Sequence, residues 1–196
     1  MRSDRVSSME TNDGSHLIGG IEYREIVIVD YDPSWPSKYE RHASVIVDAL
    51  GATLLRLEHI GSTSVPGLAA KPIIDMLAVV PDSADESSYL PKLEAVGYLL
   101  RVREPDFFDH RMFRTVARDV HLHVYSPDTP EIRRNLAFRD RLRTNVEDRR
   151  RYETVKRRLA KHSWKDMNEY AQAKTEIIEH ILQAAMTDDL GPTGEI

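Results

Sequence analysis

Residues 58–80, EHIGSTSVPGLAAKPIIDMLAVV, constrain the fold more than any other stretch. Two apolar β-type runs are joined by a loop of small, hydroxyl-bearing and helix-breaking residues, and one carboxylate, Asp75, stands inside the second run. A charge within PIIDMLAVV has to be paired, hydrogen-bonded or metal-bound, because burying it alone is very costly. The plain structural alternative is a strand-end aspartate that caps a neighbouring loop. The loop itself suits an anion: Gly61 lets backbone N–H groups come close, and Ser62, Thr63 and Ser64 add hydroxyl donors. With Lys71 nearby, the segment reads as a phosphate-holding loop beside an acid able to carry a phosphate's metal ion.

At 196 residues the chain fits one domain with helical decoration. Cysteine is absent, which excludes disulfides and thiolate metal sites and agrees with a reducing, cytoplasmic location. No apolar run reaches the roughly 20 residues of a membrane span, and the N-terminus lacks the basic-then-apolar order of a signal peptide. The net charge of −5 argues against a nucleic-acid partner held by an overall basic field.

Residues 1–23 carry little apolar periodicity and read as a loose leader, and 187–196 as a loose tail. Between them, 25–30 (EIVIVD) predicts a strand. Asp32-Pro33 then predicts an N-cap and first helical position, with Trp35, Tyr39, Ala43, Ile46, Val47 and Leu50 inward and Gly51 closing the helix. Strands are expected at 53–60 and 72–80, the latter apolar enough for a central strand covered on both faces. A surface helix follows at 82–96 with Tyr89, Leu93 and Val96 inward, then strands at 98–102, 110–116 and 119–125, the last two forming a hairpin around Ala117-Arg118.

From 130 to 186 the pattern is helical in three pieces. Ile132, Leu136, Phe138, Leu142 and Val146 mark the first; Tyr152, Val155, Leu159 and His162 the second; Tyr170, Ile177, Ile181 and Ala185 the third. Lys156 falls with Arg149, Arg150, Arg151, Arg157, Arg158 and Lys161 on a charged face of the second piece, read as solvated rather than as a nucleic-acid patch.

Two further features carry chemistry. In His121-Leu122-His123 both imidazoles project from one face of a strand, and beside Asp75 they would make a two-histidine, one-carboxylate set suited to manganese, zinc or iron. Glu58 and His59 point to opposite faces, and either could join such a site. Lys174 interrupts the stripe between Tyr170 and Ile177, either snorkelling past the core edge or reaching the phosphate site; Arg111 and Arg114 are similar candidates.

The segments YDPSWP at 31–36, EHIGSTSVPGLAAKPIIDM at 58–76, HLHVY at 121–125 and FRDRLR at 138–143, with the late Tyr170 and Lys174, resemble the GrpB (UPF0157) family of the nucleotidyltransferase-fold superfamily. The resemblance implies an α+β fold over 24–186, a nucleotidyltransferase-like mixed sheet (24–126) flanked by helices, with a C-terminal helical extension (130–186). Active members of that superfamily move a nucleoside monophosphate from a triphosphate to an acceptor, using two or three carboxylates and two magnesium ions. Gly61-Ser62 match the phosphate motif and Asp75 the first carboxylate, whereas the second acid's position holds Leu77 and a histidine of the 121/123 pair replaces the third.

The expectation is therefore a divergent, metal-dependent nucleotidyltransferase that uses ATP or another nucleoside triphosphate and a small-molecule acceptor. Ser62 and Thr63 would hold the β- and γ-phosphates, with Gly61 and Ser64 completing the loop. Asp75 with His121 or His123 would hold magnesium or manganese, Lys71, Arg114 and Lys174 would offset phosphate charge, and Glu58 would supply the missing acid or act as base. The rivals are a non-catalytic nucleotide- or coenzyme-binding module and an enzyme with one transition metal, zinc or iron included, on Asp75, His121 and His123.

Overall fold

A computed structural model describes residues 16–20 and 25–188. The expected leader and tail therefore fall largely on residues 1–15, 21–24 and 189–196, outside the described residues. The frame is a mixed sheet of six strands: β1 (His16–Leu17), β2 (Arg56–Ile60), β3 (Ile74–Val79), β4 (Tyr98–Glu104), β5 (His110–Thr115) and β6 (Val120–Tyr125). Their order across the sheet is β1-β4-β5-β6-β3-β2. Only β3 and β6 pair in parallel; the other neighbours are antiparallel.

As the unbroken apolar run at 72–80 predicts, β3 is covered on both faces. Ile74, Met76 and Ala78 enter a core with Trp35, Ile46, Leu50 and Leu93, on the side of α1 (Trp35–Leu50) and α2 (Leu90–Ala95). Leu77 and Val79 point the other way, to Ile60, Tyr125 and the Ile132 and Leu136 side chains of α3 (Pro130–Thr144). The second face is completed by α4 (Val146–Leu159), α5 (Met167–Gln172) and α6 (Thr175–Asp188), so the helical extension has four pieces where three were expected.

Several expectations are corrected. Residues 25–30 form no strand; Val29 makes one bridge with Ala70, and the next partner in that register, Pro72, has no N–H to offer. Helix α1 begins at Trp35, two residues late, because Asp32 Oδ1 accepts from the Ser34 N–H at 2.8 Å in a local turn; Gly51, at φ +53°, still closes it. The expected helix at 82–96 shrinks to Leu90–Ala95, since Asp82 Oδ1 accepts from the Ala84 N–H and Ser88 Oγ donates to the Asp85 carbonyl, local bonds that compete with helical pairing. Val47, Val96 and Val146 lie exposed rather than inward, and so does His162.

Candidate functional site

The turn out of β2 is built around Asp75. Gly61 sits at φ +66°, and a Cβ there would lie 2.9 Å from Asp75 Cβ and closer still to its carboxylate, so only glycine lets the loop and the acid stand this near. Thr63 and Ser64 are buried braces of this loop. Thr63 Oγ1 donates to the Ile73 carbonyl at 3.1 Å, which leaves it to accept from His59 Nε2 at 3.1 Å. Burial pushes the His59 imidazole down to about 4, so it is neutral. Ser64 Oγ donates to the Gly61 carbonyl at 2.6 Å, and Arg143 holds the Ser64 carbonyl through Nε and Nη2 at 3.0 and 2.9 Å. Of the expected hydroxyls, Ser62 is the one on a residue that is not buried.

Gly61, Ser62, Lys71, Asp75, His121 and His123 open together onto a cleft of about 420 Å³ between the sheet and helices α3 to α6. Lys174 reaches it from the turn before α6, its Nζ 4.8 Å from the centre of the Tyr170 ring, and Lys71 Nζ lies 5.7 Å from the same ring. Arg114 lines an adjoining cavity of about 580 Å³ that shares Lys71, His121, Tyr170 and Lys174 with the cleft. A larger cavity, about 1150 Å³ beside α3, contains none of the expected residues.

The acid and the histidines divide differently from the expectation. Asp75 Oδ1 is 3.4 Å from His121 Nδ1, its register partner across the parallel pair. Burial raises the Asp75 carboxyl, but the His121 hydrogen bond and the charges around it, Lys71 included, outweigh burial and hold it below the usual carboxylate value. His123 faces the cleft, yet its Nδ1 is 3.0 Å from His110 Nε2, and the two rings stack. Burial first, and then His110, pushes His123 down to about 3. Among the described residues no three His, Cys, Asp or Glu side chains converge as a metal set, so Asp75, His121 and His123 are a pair and a separate imidazole. Glu58 shares this face but stands opposite Leu77, and its carboxylate accepts from Arg139 Nη1 at 2.7 Å and Arg56 Nε at 2.9 Å. It does not line the cleft.

Lys156 was misplaced by the sequence reading. It is 3% exposed, and its Nζ donates to Ser62 Oγ at 3.0 Å and to the Ala69 carbonyl, 4.6 Å from the Tyr152 ring centre. Burial, then the charge of Lys174, lowers its ammonium to about 7. The spacing held the signal: Lys156 follows buried Tyr152 by one helical turn, on the inner stripe. His110, Glu104 and Arg134 also went unassigned; the last lines the cleft from α3.

The family model for the GrpB protein matches residues 25–184. The chain belongs to the GrpB family. A UPF0157 protein of Halalkalibacterium halodurans is 54% identical to it over 160 residues, 82% of each chain. The crystal structure of the conserved protein GrpB from Enterococcus faecalis superposes on 84% of the chain and 99% of its own length, with a TM-score of 0.75 and 34% identity. A dephospho-CoA kinase of Mycolicibacterium paratuberculosis is 28% identical over 173 residues, and this chain spans 42% of the kinase. The sheet and its flanking helices are thus a GrpB fold of α+β class, as the resemblance implied.

Proposed function

We propose that the cleft binds the phosphates of a nucleoside triphosphate over Ser62 and transfers the nucleotidyl group to a small-molecule acceptor. One observation carries the reading: Lys71, Lys156 and Lys174, from three separate segments, reach the cleft that holds Ser62 and Asp75. Three ammonium groups around one hydroxyl and one carboxylate match a polyphosphate, whose charge they offset. In the transfer, an acceptor oxygen forms a bond to the α-phosphorus as the bond to pyrophosphate breaks. Asp75, charged and facing the cleft, is the group that would hold the magnesium or manganese ion of the triphosphate, and that ion supplies charge neutralisation on phosphate oxygens. Among the described residues no three His, Cys, Asp or Glu side chains converge, which favours magnesium or manganese on Asp75 over a transition-metal set on Asp75, His121 and His123. A triphosphate substrate places the work in the cytoplasm.

A binding module is the second reading, favoured by Leu77 in the place of an acid and by Glu58 being committed to two arginines. The match to part of a dephospho-CoA kinase supports a coenzyme as the ligand of such a module. Thermal unfolding with and without triphosphate and manganese tests the common ground. A hundredfold excess over Kd stabilises by about 2.7 kcal/mol, which for a chain of this size is a rise of roughly 5–10 °C in Tm. Asp75→Asn is expected to remove the metal-dependent share. No shift with any triphosphate sinks the transfer reading, and a shift with a coenzyme alone then supports the module. Pyrophosphate release with pooled metabolite acceptors then separates them, since turnover excludes the module.

A further inference from the structure

On the cleft's sheet wall, three titratable side chains form a hydrogen-bonded line that the phosphate site does not use. Glu104 and His110 are register partners on β4 and β5, and His123 stands on β6 opposite Met112. His110 Nδ1 is 2.5 Å from Glu104 Oε2, and its Nε2 is 3.0 Å from His123 Nδ1. The His110 ring is 6% exposed and is stacked on Tyr125 at 4.7 Å between ring centres. Glu131 of α3 faces it from above the sheet, and His123 is faced by His121 and Asp75. When each imidazole carries a single proton, the hydrogen-bond geometry fixes the order. The carboxylate can only accept, so His110 Nδ1 donates to Glu104; His110 Nε2 then accepts from His123 Nδ1; and Nε2 of His123 is left without a proton as the nitrogen it can offer to the cleft.

We propose that His123 is the proton acceptor of this cleft, and that Glu104 and His110 are positioning residues that keep its Nε2 unprotonated. The proposal rests on the transfer reading, which supplies the proton: that of the acceptor's hydroxyl as its oxygen bonds to the α-phosphorus and pyrophosphate leaves. The O–H bond breaks and His123 Nε2–H forms. As that proton arrives, the Nδ1 proton of His123 passes along its hydrogen bond to His110 Nε2, and the His110 Nδ1 proton passes to Glu104. Glu104, with a side chain 31% exposed, releases it to water. The line thus fills the place left by Leu77 and by Glu58.

Imidazole nitrogen NMR of the full chain near pH 8 reads the order directly. Wild type is expected to show His123 protonated at Nδ1 alone. Glu104→Ala loses that order, and Glu104→Gln, whose carbonyl can still accept, keeps it. An Nε2–H tautomer of His123 in the wild type, or no change in Glu104→Ala, overturns the proposal whatever the turnover. In the pyrophosphate assay His123→Gln is expected to lower kcat by about 10²–10⁴ with little change in KM. Turnover that survives this substitution overturns the proposal and leaves the transfer reading standing. No turnover in the wild type overturns the transfer reading and the acceptor role together.

Discussion

Lys156 shows how much one residue can alter a site. Its neighbours in sequence are arginines, and composition places it on a solvated face; the fold instead drives it against Ser62 and the Ala69 carbonyl. Those two acceptors hold the ammonium without neutralising it, so burial dominates and the group titrates at about 7. An unfolded lysine keeps its proton to about pH 10.4. Between these values the unfolded chain binds one more proton than the folded chain, so stability rises with pH across that window. Lys156→Met abolishes this contribution. Urea denaturation from pH 6.5 to 9.5 is expected to show wild type gaining on the variant by about 1 kcal/mol per pH unit above pH 7. A difference that stays flat with pH would mean that the lysine is not desolvated in the folded state. Gly61 is the opposite case: its need for close approach was legible, but the partner it admits is the carboxylate of Asp75.

Elements that bury one clear stripe could be read from the sequence, and those governed by competition could not. The apolar run at 72–80 and the expected hairpin appear as β3, Ile74–Val79, and as β5 and β6, His110–Thr115 and Val120–Tyr125, within two residues of the expected bounds. Residues 25–30 carry the same β-branched signal, yet a strand needs a partner ladder, and Pro72 ends this one after one rung. Helix α3 hides a different kind of contact. Its inner face presents Arg139, 9% exposed, to Glu58 on β2 at 2.7 Å and to the His59 carbonyl at 3.2 Å. This pairing clamps helix to sheet and takes the carboxylate that sequence reasoning had offered to the cleft. Arg139→Met should cost about 2 kcal/mol, since it strands an acceptor of a charged hydrogen bond. In a double-mutant cycle with Glu58→Gln, the coupling is expected at about 1–2 kcal/mol. Coupling near zero would release Glu58 and restore it as a candidate base.

At the scale of the molecule, the cleft is assembled from two halves that lie far apart in sequence. The sheet and its loop contribute Ser62, Asp75, His121 and His123; the helices and the turn between α5 and α6 contribute Tyr152, Lys156, Tyr170 and Lys174. No local pattern connects Lys156 to Ser62, 94 positions away, so the approach of the loop to Asp75 was readable and the lysine over it was not. The halves are joined by a small core in which Val65 and Leu68 of the loop meet Leu142, Tyr152 and Ile181. That core makes a concerted response to ligand the physical expectation, because an anion held by Lys156 and Lys174 ties α4 and α6 to the loop. With triphosphate at a hundredfold excess over Kd, the stabilisation of about 2.7 kcal/mol corresponds to roughly 100-fold slower exchange for amides that exchange by opening of the cleft. Hydrogen exchange should therefore slow together in residues 61–64 and 170–182. Slowing confined to the loop would mean that the helices are scaffold and their lysines do not touch the ligand. Slowing in both halves that persists in Asp75→Asn would make the anion, rather than its metal, the force that draws them together.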